Sequence, residues 1–232
     1  MNFPFTEQSL VKDIVNDFPK SSDIFKRNRI DFCCGGNTPL SSAVVANSIN
    51  IESLLSELKE LYEKSEHNGQ NDMEVWLESD SKTIINHVIE RYHRPLEEEL
   101  SLLSPYVTKV AKVHGDSHPE LLRVYELFYE LKKELLEHTK KEEEISFPLI
   151  LKIEEGNVEN KEDAISQIVQ LEKEHDHAGE ILRELREITS DYVPPVDACG
   201  TYRLVYKRLE MLEGETFMHV HLENNILFPR YI

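Results

Sequence analysis

The sequence contains few of the residues that interrupt helices or build disulfide-bonded scaffolds. Only 8 glycines and 10 prolines occur in 232 residues, and the stretches between them are rich in Glu, Leu, Lys and Ile, a composition that favours helix. Three cysteines, two of them adjacent, are too few for a disulfide framework. We therefore expect an all-α protein of the reducing cytoplasm.

Long apolar runs and an excess of positive charge are also missing. No apolar stretch approaches the ~20 residues that a membrane span needs, and the first residues lack the basic and apolar regions of a signal peptide. Asp and Glu number 44 against 26 Lys and Arg, which gives a formal net charge of −18. An acidic surface repels nucleic acid and anionic membranes, so neither is expected as a partner.

Apolar periodicity divides the chain into a small and a large helical part. Residues 1–65 predict a small helical domain, 66–78 a polar linker, and 79–232 four long helical segments. Short intervening loops favour an antiparallel up-down four-helix bundle. Pro95 and Pro105 interrupt the first long segment, so the pattern leaves open whether it is one helix or two. Ser117 and Glu120 predict a capping box at the start of the second, whose apolar stripe runs on to Ile145.

One short motif occurs twice, and each copy pairs a histidine with a glutamate. The copies are His138-Thr-Lys-Lys-Glu142, followed by Phe147-Pro148, and His219-Val-His-Leu-Glu223, followed at the same distance by Phe228-Pro229. Residues four apart lie on one face of a helix, so each copy brings an imidazole and a carboxylate together. That donor pair suits a first-row transition metal, and two copies predict the two halves of a dinuclear site.

Two further histidines complete the repeat. His93 precedes His138 by 45 residues and His175 precedes His219 by 44 residues. Three of these four histidines follow an apolar stripe residue by seven positions, whereas His93 lies on the flank of its stripe. The remaining histidines lie on polar or intermediate helix faces, in loops or at a helix start, and we leave them out of the site: His67, His87, His114, His118, His177 and His221.

The alternative to a metal site is an ordinary helical core, because a single histidine on an apolar face is more often a hydrogen-bonded core residue. Burial of Glu142 and Glu223 is costly unless a cation compensates their charge, and the matched repeat favours the metal. No cysteine lies near these positions, which argues against structural zinc, and magnesium and calcium prefer oxygen ligands. The ligand types favour a non-haem di-iron centre with room for an oxo bridge and a small molecule, with manganese or zinc as substitutes.

Several short motifs together make the chain similar to a known family. They are Asp31-Phe32-Cys33-Cys34-Gly35-Gly36, Arg91-Tyr92-His93, His138 with Glu142, Glu174-His175-Asp176, and His219 with Glu223-Asn224-Asn225. On these motifs the large part resembles the haemerythrin-like domain, and the whole chain resembles the iron–sulfur cluster repair di-iron proteins (the repair-of-iron-centres family), in which a Cys-Cys-Gly-Gly domain precedes that bundle. The resemblance implies that the four histidines and two glutamates hold two iron ions, with the glutamates bridging them.

The adjacent cysteines Cys33 and Cys34 lie on a glycine turn in the small domain. A disulfide between neighbours is strained, so we expect free thiols. Their role stays open between a redox-active thiol, transient capture of iron or a nitrosyl iron species, contact with a client protein, and simple burial beneath the turn. For Cys199 we predict packing.

The resemblance implies repair of iron–sulfur clusters damaged by nitrosative or oxidative stress, with the damaged proteins as clients. The chemistry would be iron supply or processing of nitrosyl groups, and whether it is catalytic stays open. Two alternatives use the same centre: reduction of nitric oxide and haemerythrin-type oxygen binding. Glu134 and Glu174 are predicted to line an iron exit path. The oligomeric state is open, a homodimer included.

Overall fold

The computed structural model describes residues 3–65, 74–157 and 161–232. These residues form α-helices with short π and 3-10 turns, and the described ranges contain no strand beyond one isolated bridge between Leu10 and Pro39. The predicted all-α class is confirmed. Among the helices of the described ranges, none is both long and apolar enough to cross a membrane.

Contacts within the chain define two compact units. One comprises Met1–Ile84 with Val220–Arg230, and the other Ile85–His219 with Tyr231–Ile232. The division falls inside one continuous helical rod, between His219 and Val220. The domain boundaries predicted at residues 65 and 79 stay a prediction, and residues 66–73 of the predicted linker lie outside the described residues.

The first unit contains the short helices of the N-terminal part. They are α1 (Val11–Asp17), α2 (Ser21–Arg27), α3 (Leu40–Ala46), α4 (Ile51–Ser65) and α5 (Glu74–Glu78). The Asn50 side chain caps α4 by accepting a hydrogen bond of 2.9 Å from the Ser53 amide. The apolar faces of α1 to α4 supply the buried core of this unit, which includes Val11, Ile14, Val15, Ile24, Phe25, Leu40, Leu54 and Leu58.

Four long rods form the bundle. The α-helical parts are α6 (Ser81–Val88), α7 (Arg94–His114), α8 (Glu120–Lys141), α9 (Phe147–Glu154), α10 (Lys161–Ile188) and α11 (Gly200–Leu222). π turns at Ile89–His93, Glu142–Ser146 and Glu223–Leu227 join α6 to α7, join α8 to α9, and extend α11. One hydrophobic core draws side chains from all four rods, among them Leu100, Phe128, Leu182 and Tyr206. The predicted helical bundle is confirmed.

A proline follows each π turn in the same register. Pro95, Pro148 and Pro229 each lie two residues after the end of their turn. In each case the amide just before the proline donates to the carbonyl five residues back, for example Arg94 to Ile89. A proline has no N–H to offer, and the wider turn accommodates the missing donor without ending the helix. The first rod is therefore continuous through Pro95, and Pro105 lies inside α7 without breaking it.

Two local expectations were wrong. Ile145 is 52% exposed, because the π turn Glu142–Ser146 inserts an extra residue and rotates the apolar stripe, so that Ser146 and Phe147 are buried instead. The capping box at Ser117 does not form either. Helix α8 begins at Glu120 with Pro119 as its N-cap residue and no side-chain cap, since a proline side chain has no oxygen that could accept from the first amides of the helix.

Candidate metal centre

Four buried imidazoles converge in two pairs inside the bundle. The Nε2 atoms of His93 and His219 lie 3.1 Å apart, and those of His138 and His175 lie 2.7 Å apart. Two nitrogens that bind one ion side by side, each at about 2.1 Å, lie about 3 Å apart. Both pairs therefore have the spacing of ligands that share a metal ion.

Glu142 lies between the two pairs and is fully buried. Its Oε2 atom is 3.3 Å from His93 Nε2, and its Oε1 atom is 3.0 Å from His138 Nε2. Neither oxygen accepts a hydrogen bond from the described part of the chain. Although burial raises the pKa of a carboxyl group, the attraction of the surrounding imidazoles, His138 above all, keeps the pKa of Glu142 well below its usual value. A buried carboxylate of this kind requires positive charge around it.

Glu223 occupies the matching position on the fourth rod. It follows His219 by one helical turn, begins the π turn Glu223–Leu227, and is fully buried. Within the second unit, two sets of side chains have ligand atoms that all lie within 4.8 Å of one another: His93, Glu142, His219 and His138, Glu142, His175. The structure thus brings together these five predicted ligand residues, and the sixth, Glu223, lies one helical turn after His219. Within the described ranges, no other histidine joins either set.

Two further carboxylates orient the imidazoles, and the sequence did not single them out for this role. Glu143 accepts a hydrogen bond of 2.9 Å from His93 Nδ1 and is also bound by Arg94. Glu174 accepts a bond of 3.0 Å from His138 Nδ1 and is also bound by Lys141. A carboxylate on Nδ1 fixes the proton there and leaves the Nε2 lone pair facing the centre.

Glu143 and Glu174, which we call the outer carboxylates, are both ionised despite partial burial. Burial alone would raise the pKa of Glu143, but the hydrogen bonds from Arg94 and His93 hold it below its ordinary value. Glu174 behaves in the same way, with Lys141 as the strongest stabilising partner. The sequence contained a weak signal for both residues, since each is one residue away from a predicted ligand and next to the polar edge of its helix.

Aromatic rings cover two of the imidazoles. Tyr92 stacks on His219 with ring centres 5.5 Å apart, and Phe147 stacks on His93 at 5.8 Å. A mostly apolar cavity of about 310 Å³ lies against Tyr92 and His219. Ion pairs between Arg91 and Glu215 and between Arg208 and Glu99, each with a shortest contact of 2.7 Å, line the same cavity. A small uncharged molecule therefore has an apolar space beside a candidate ligand.

A second, polar groove reaches the centre from the Glu143 side. It encloses about 360 Å³ and is lined by His93, Arg94, Glu97, Leu136, Thr139, Lys140, Glu143 and Glu144. Charged groups of both signs line it, so hydrated ions have access to Glu143, the carboxylate that binds His93 Nδ1. Glu174, predicted to line an exit path, instead bonds His138, and that path stays a prediction.

His221 is buried but belongs to a different environment. Its Nε2 atom lies 2.9 Å from Asn16 Oδ1, and its Nδ1 atom lies 3.1 Å from the Phe32 carbonyl oxygen. Burial lowers its pKa to about 4, so the ring is neutral near pH 7. Sequence periodicity did not assign His221 to a buried or an exposed helix face, because it lies midway between His219 and Glu223 along the rod. In the structure it contacts the N-terminal loop.

The loop that carries the cysteine pair is closed by Asp31. Its Oδ1 atom accepts the amide hydrogens of Cys33 at 3.0 Å and Cys34 at 2.9 Å. A side chain at Gly36 would place its Cβ only 2.5 Å from the Phe32 carbonyl oxygen, so the loop requires glycine there. The thiols are free, as expected, with Cys33 buried and Cys34 half-buried. Cys199 is exposed rather than packed, and its sulfur lies 3.3 Å from His114 Nε2.

Two family models together match almost the whole chain. Residues 84–231 match the Hemerythrin HHE cation binding domain, which contains every histidine of the two pairs. Residues 7–62 match a Domain of Unknown function (DUF542), the ScdA_N domain, which contains the cysteine loop. The bundle with its buried histidine and glutamate cluster is thus a haemerythrin-type cation-binding domain.

Full-length relatives narrow this class to one family. Iron-sulfur cluster repair protein ScdA of Staphylococcus haemolyticus is 43% identical, over 97% of this chain and 99% of the relative. Iron-sulfur cluster repair protein YtfE of Escherichia coli O8 is 35% identical over 94% of each chain. A probable iron-sulfur cluster repair protein of Haemophilus influenzae is 31% identical over 98% of each. The chain belongs to the family of iron–sulfur cluster repair proteins.

Proposed function

We propose that this chain restores damaged iron–sulfur clusters and that its bundle holds two iron ions for that purpose. The names of its full-length relatives support the repair role, and the match to a cation-binding domain supports a metal in the bundle. The proposed iron ligands are His93, His138, Glu142, His175, His219 and Glu223.

The observation that carries the proposal is the position of Glu142. One of its oxygens faces the His93 pair and the other faces the His138 pair, at 3.3 and 3.0 Å from the nearest Nε2 atoms. A carboxylate with one oxygen toward each imidazole pair is suited to bridge two ions. Imidazole and carboxylate ligands together suit iron, and manganese or zinc are the substitutes that the same donors allow. The predicted oxo bridge is part of this proposal.

Bound iron supplies one-electron redox chemistry and is itself the cargo that a damaged cluster lacks. The chain's own residues keep that iron exchangeable. Glu143 and Glu174 hold the His93 and His138 rings from partly exposed positions, at 23% and 24% side-chain exposure. The polar groove at Glu143 offers hydrated ions a path to this outer carboxylate. We therefore propose that ferrous iron leaves on the His93 side for transfer to a client protein.

The test is reactivation of a client enzyme whose iron–sulfur cluster has been damaged by nitric oxide. Iron-loaded protein should restore its activity, and a His138→Ala variant, shown to be folded and iron-free, should not. The matched control is His177→Ala, because His177 is an exposed histidine of α10 that joins neither ligand set. Equal reactivation by the iron-free variant would show that the metal centre does not carry the repair activity.

The apolar cavity beside His219 favours a second candidate, chemistry on nitric oxide at the same centre. An uncharged diatomic molecule enters apolar space without the desolvation cost that a charged ligand meets. Nitrous oxide should then accumulate over many turnovers under anaerobic, reducing conditions. A single stoichiometric adduct without nitrous oxide would refute reduction as the activity. Oxygen binding, a cytoplasmic location and a homodimer stay predictions from the sequence.

A further inference from the structure

The cysteine loop brings three metal-binding side chains together in the first unit. Asp31, Cys33 and Cys34 have ligand atoms that all lie within 4.8 Å of one another. The two sulfurs are 3.9 Å apart, and Cys33 Sγ is 3.3 Å from Asp31 Oδ1. This set shares no residue with the iron centre proposed above.

The distance between the two sulfurs matches that of two thiolates bound to one metal ion. Two thiolates that bind one tetrahedral ion at about 2.3 Å each are about 3.8 Å apart, close to the 3.9 Å between Cys33 and Cys34. A thiolate and a carboxylate oxygen on the same ion, with the oxygen at about 2.1 Å, are about 3.6 Å apart. The 3.3 Å between Cys33 Sγ and Asp31 Oδ1 needs only a small opening of the loop.

One sulfur of the loop has an amide donor beside it, and a second amide anchors the loop. The Asn224 side-chain amide points its Nδ2 atom at Cys34 Sγ, at 3.8 Å, and an amide donor stabilises negative charge on sulfur. The side chain of Asn225 donates to the Cys33 carbonyl oxygen at 3.0 Å and so anchors the loop. A carboxylate offers about four acceptor positions, and the two loop amides and the Cys33 thiol all contact Oδ1, so Asp31 keeps capacity on its second oxygen.

Exposure shows what kind of site this would be. Asp31 is exposed and Cys34 is half-buried, whereas Cys33 is buried behind them. An ion can therefore approach from the Asp31 side. Three protein ligands leave a fourth coordination position open to water or to a ligand from another molecule, in contrast to a closed structural site with four protein ligands.

We propose that Asp31, Cys33 and Cys34 form a second metal site, which takes one thiophilic divalent cation of the Fe²⁺ or Zn²⁺ class in exchangeable form. Binding releases the two thiol protons to solvent and forms two metal–sulfur bonds and one metal–oxygen bond, without any change of oxidation state. Soft and borderline ions are selected because two of the three ligands are sulfur.

The probe is Co²⁺, added under anaerobic conditions to the full-length protein after its bundle has been loaded with iron. Thiolate ligands give Co²⁺ an intense near-ultraviolet charge-transfer band that histidine and carboxylate ligands do not give. One equivalent should produce this band. Cys34→Ser should weaken Co²⁺ binding at least about tenfold and reduce the band, and Asp31→Asn, which keeps the acceptor for both loop amides, should weaken binding by about tenfold.

Cys199→Ser is the matched control, because Cys199 is an exposed thiol outside the loop. It should leave the band unchanged. Absence of the band in the native protein, its persistence in Cys34→Ser, or its loss in Cys199→Ser would each overturn the proposal. The His138→Ala variant separates this proposal from the iron centre, since it should lose bundle iron and keep the thiolate band.

Discussion

The outer carboxylates offer the sharpest test of how the bundle would hold its metal. Glu143→Gln and Glu174→Gln each replace a carboxylate by a neutral amide of nearly the same shape. The glutamine oxygen can still accept the hydrogen bond that His93 or His138 Nδ1 donates at 2.9 or 3.0 Å. The two variants therefore remove charge and preserve geometry, one at each of the two imidazole pairs.

The size of the effect follows from the type of bond. A hydrogen bond to a charged group contributes about 1.5–3 kcal/mol, and one between neutral groups about 0.5–1.5 kcal/mol, so each variant should lose about 1 kcal/mol. Arg94 and Lys141 already share these carboxylates, and both glutamates are about one quarter exposed, which keeps the effect modest. We expect iron affinity to fall about fivefold for each glutamine variant, and up to about a hundredfold for alanine.

The assay is competition for Fe²⁺ between the protein and a coloured chelator, followed at equilibrium and over time. Glu144→Gln is the control. Glu144 lies next to Glu143, is 63% exposed, and pairs only loosely with Lys140 at 3.9 Å. It should hold iron as tightly as the native chain. If Glu143→Gln and Glu174→Gln also bind iron with native affinity, the proposed orientation of the imidazoles by these carboxylates is wrong.

Three further perturbations have expected outcomes. Gly36→Ala should destabilise the protein by about 1–3 kcal/mol, because its Cβ meets a backbone carbonyl at 2.5 Å. Gly179→Ala, in open space on α10, should instead stabilise the protein by about 0.5–1 kcal/mol. Chemical denaturation measures both free energies of unfolding. A hydrogen bond with its neighbour and burial raise the pKa of the Cys33 thiol well above its usual value, so its alkylation should keep accelerating at alkaline pH and lag behind the exposed Cys199, as mass spectrometry would show. Tyr92→Leu should speed metal loss to a chelator by exposing the stacked imidazole, and Tyr92→Phe should not.

Much of the candidate site could be predicted from spacing alone. A histidine and a glutamate four residues apart on an apolar stripe must share a helix face. The second copy of the pair predicted that another rod contributes the same two ligand types. His93, on the flank of its stripe, is buried because the π turn Ile89–His93 rotates it inward and leaves Tyr92 half-buried. The predicted helical class followed from the same periodicity.

Periodicity failed where the helix departs from 3.6 residues per turn. Ile145 was assigned to the core by that period, and the π turn Glu142–Ser146 moved it to the surface. A single motif does not indicate a π turn. A comparison of the three π turns does, because a proline lies two residues beyond the end of each. Glu143 was missed for a related reason: its role depends on His93 of another rod, and such contacts between rods have no fixed sequence spacing.

In the proposed metal centre, six side chains hold two iron ions in the bundle. The most direct test is the iron content per chain of anaerobically loaded protein, measured with its Mössbauer spectrum, for the native chain and for His138→Ala. We expect two iron ions per native chain in nitrogen and oxygen coordination, apart from any iron that the cysteine loop binds through sulfur, and the loss of these two ions in the variant. One or no iron in the native chain, or native iron content in His138→Ala, would contradict it.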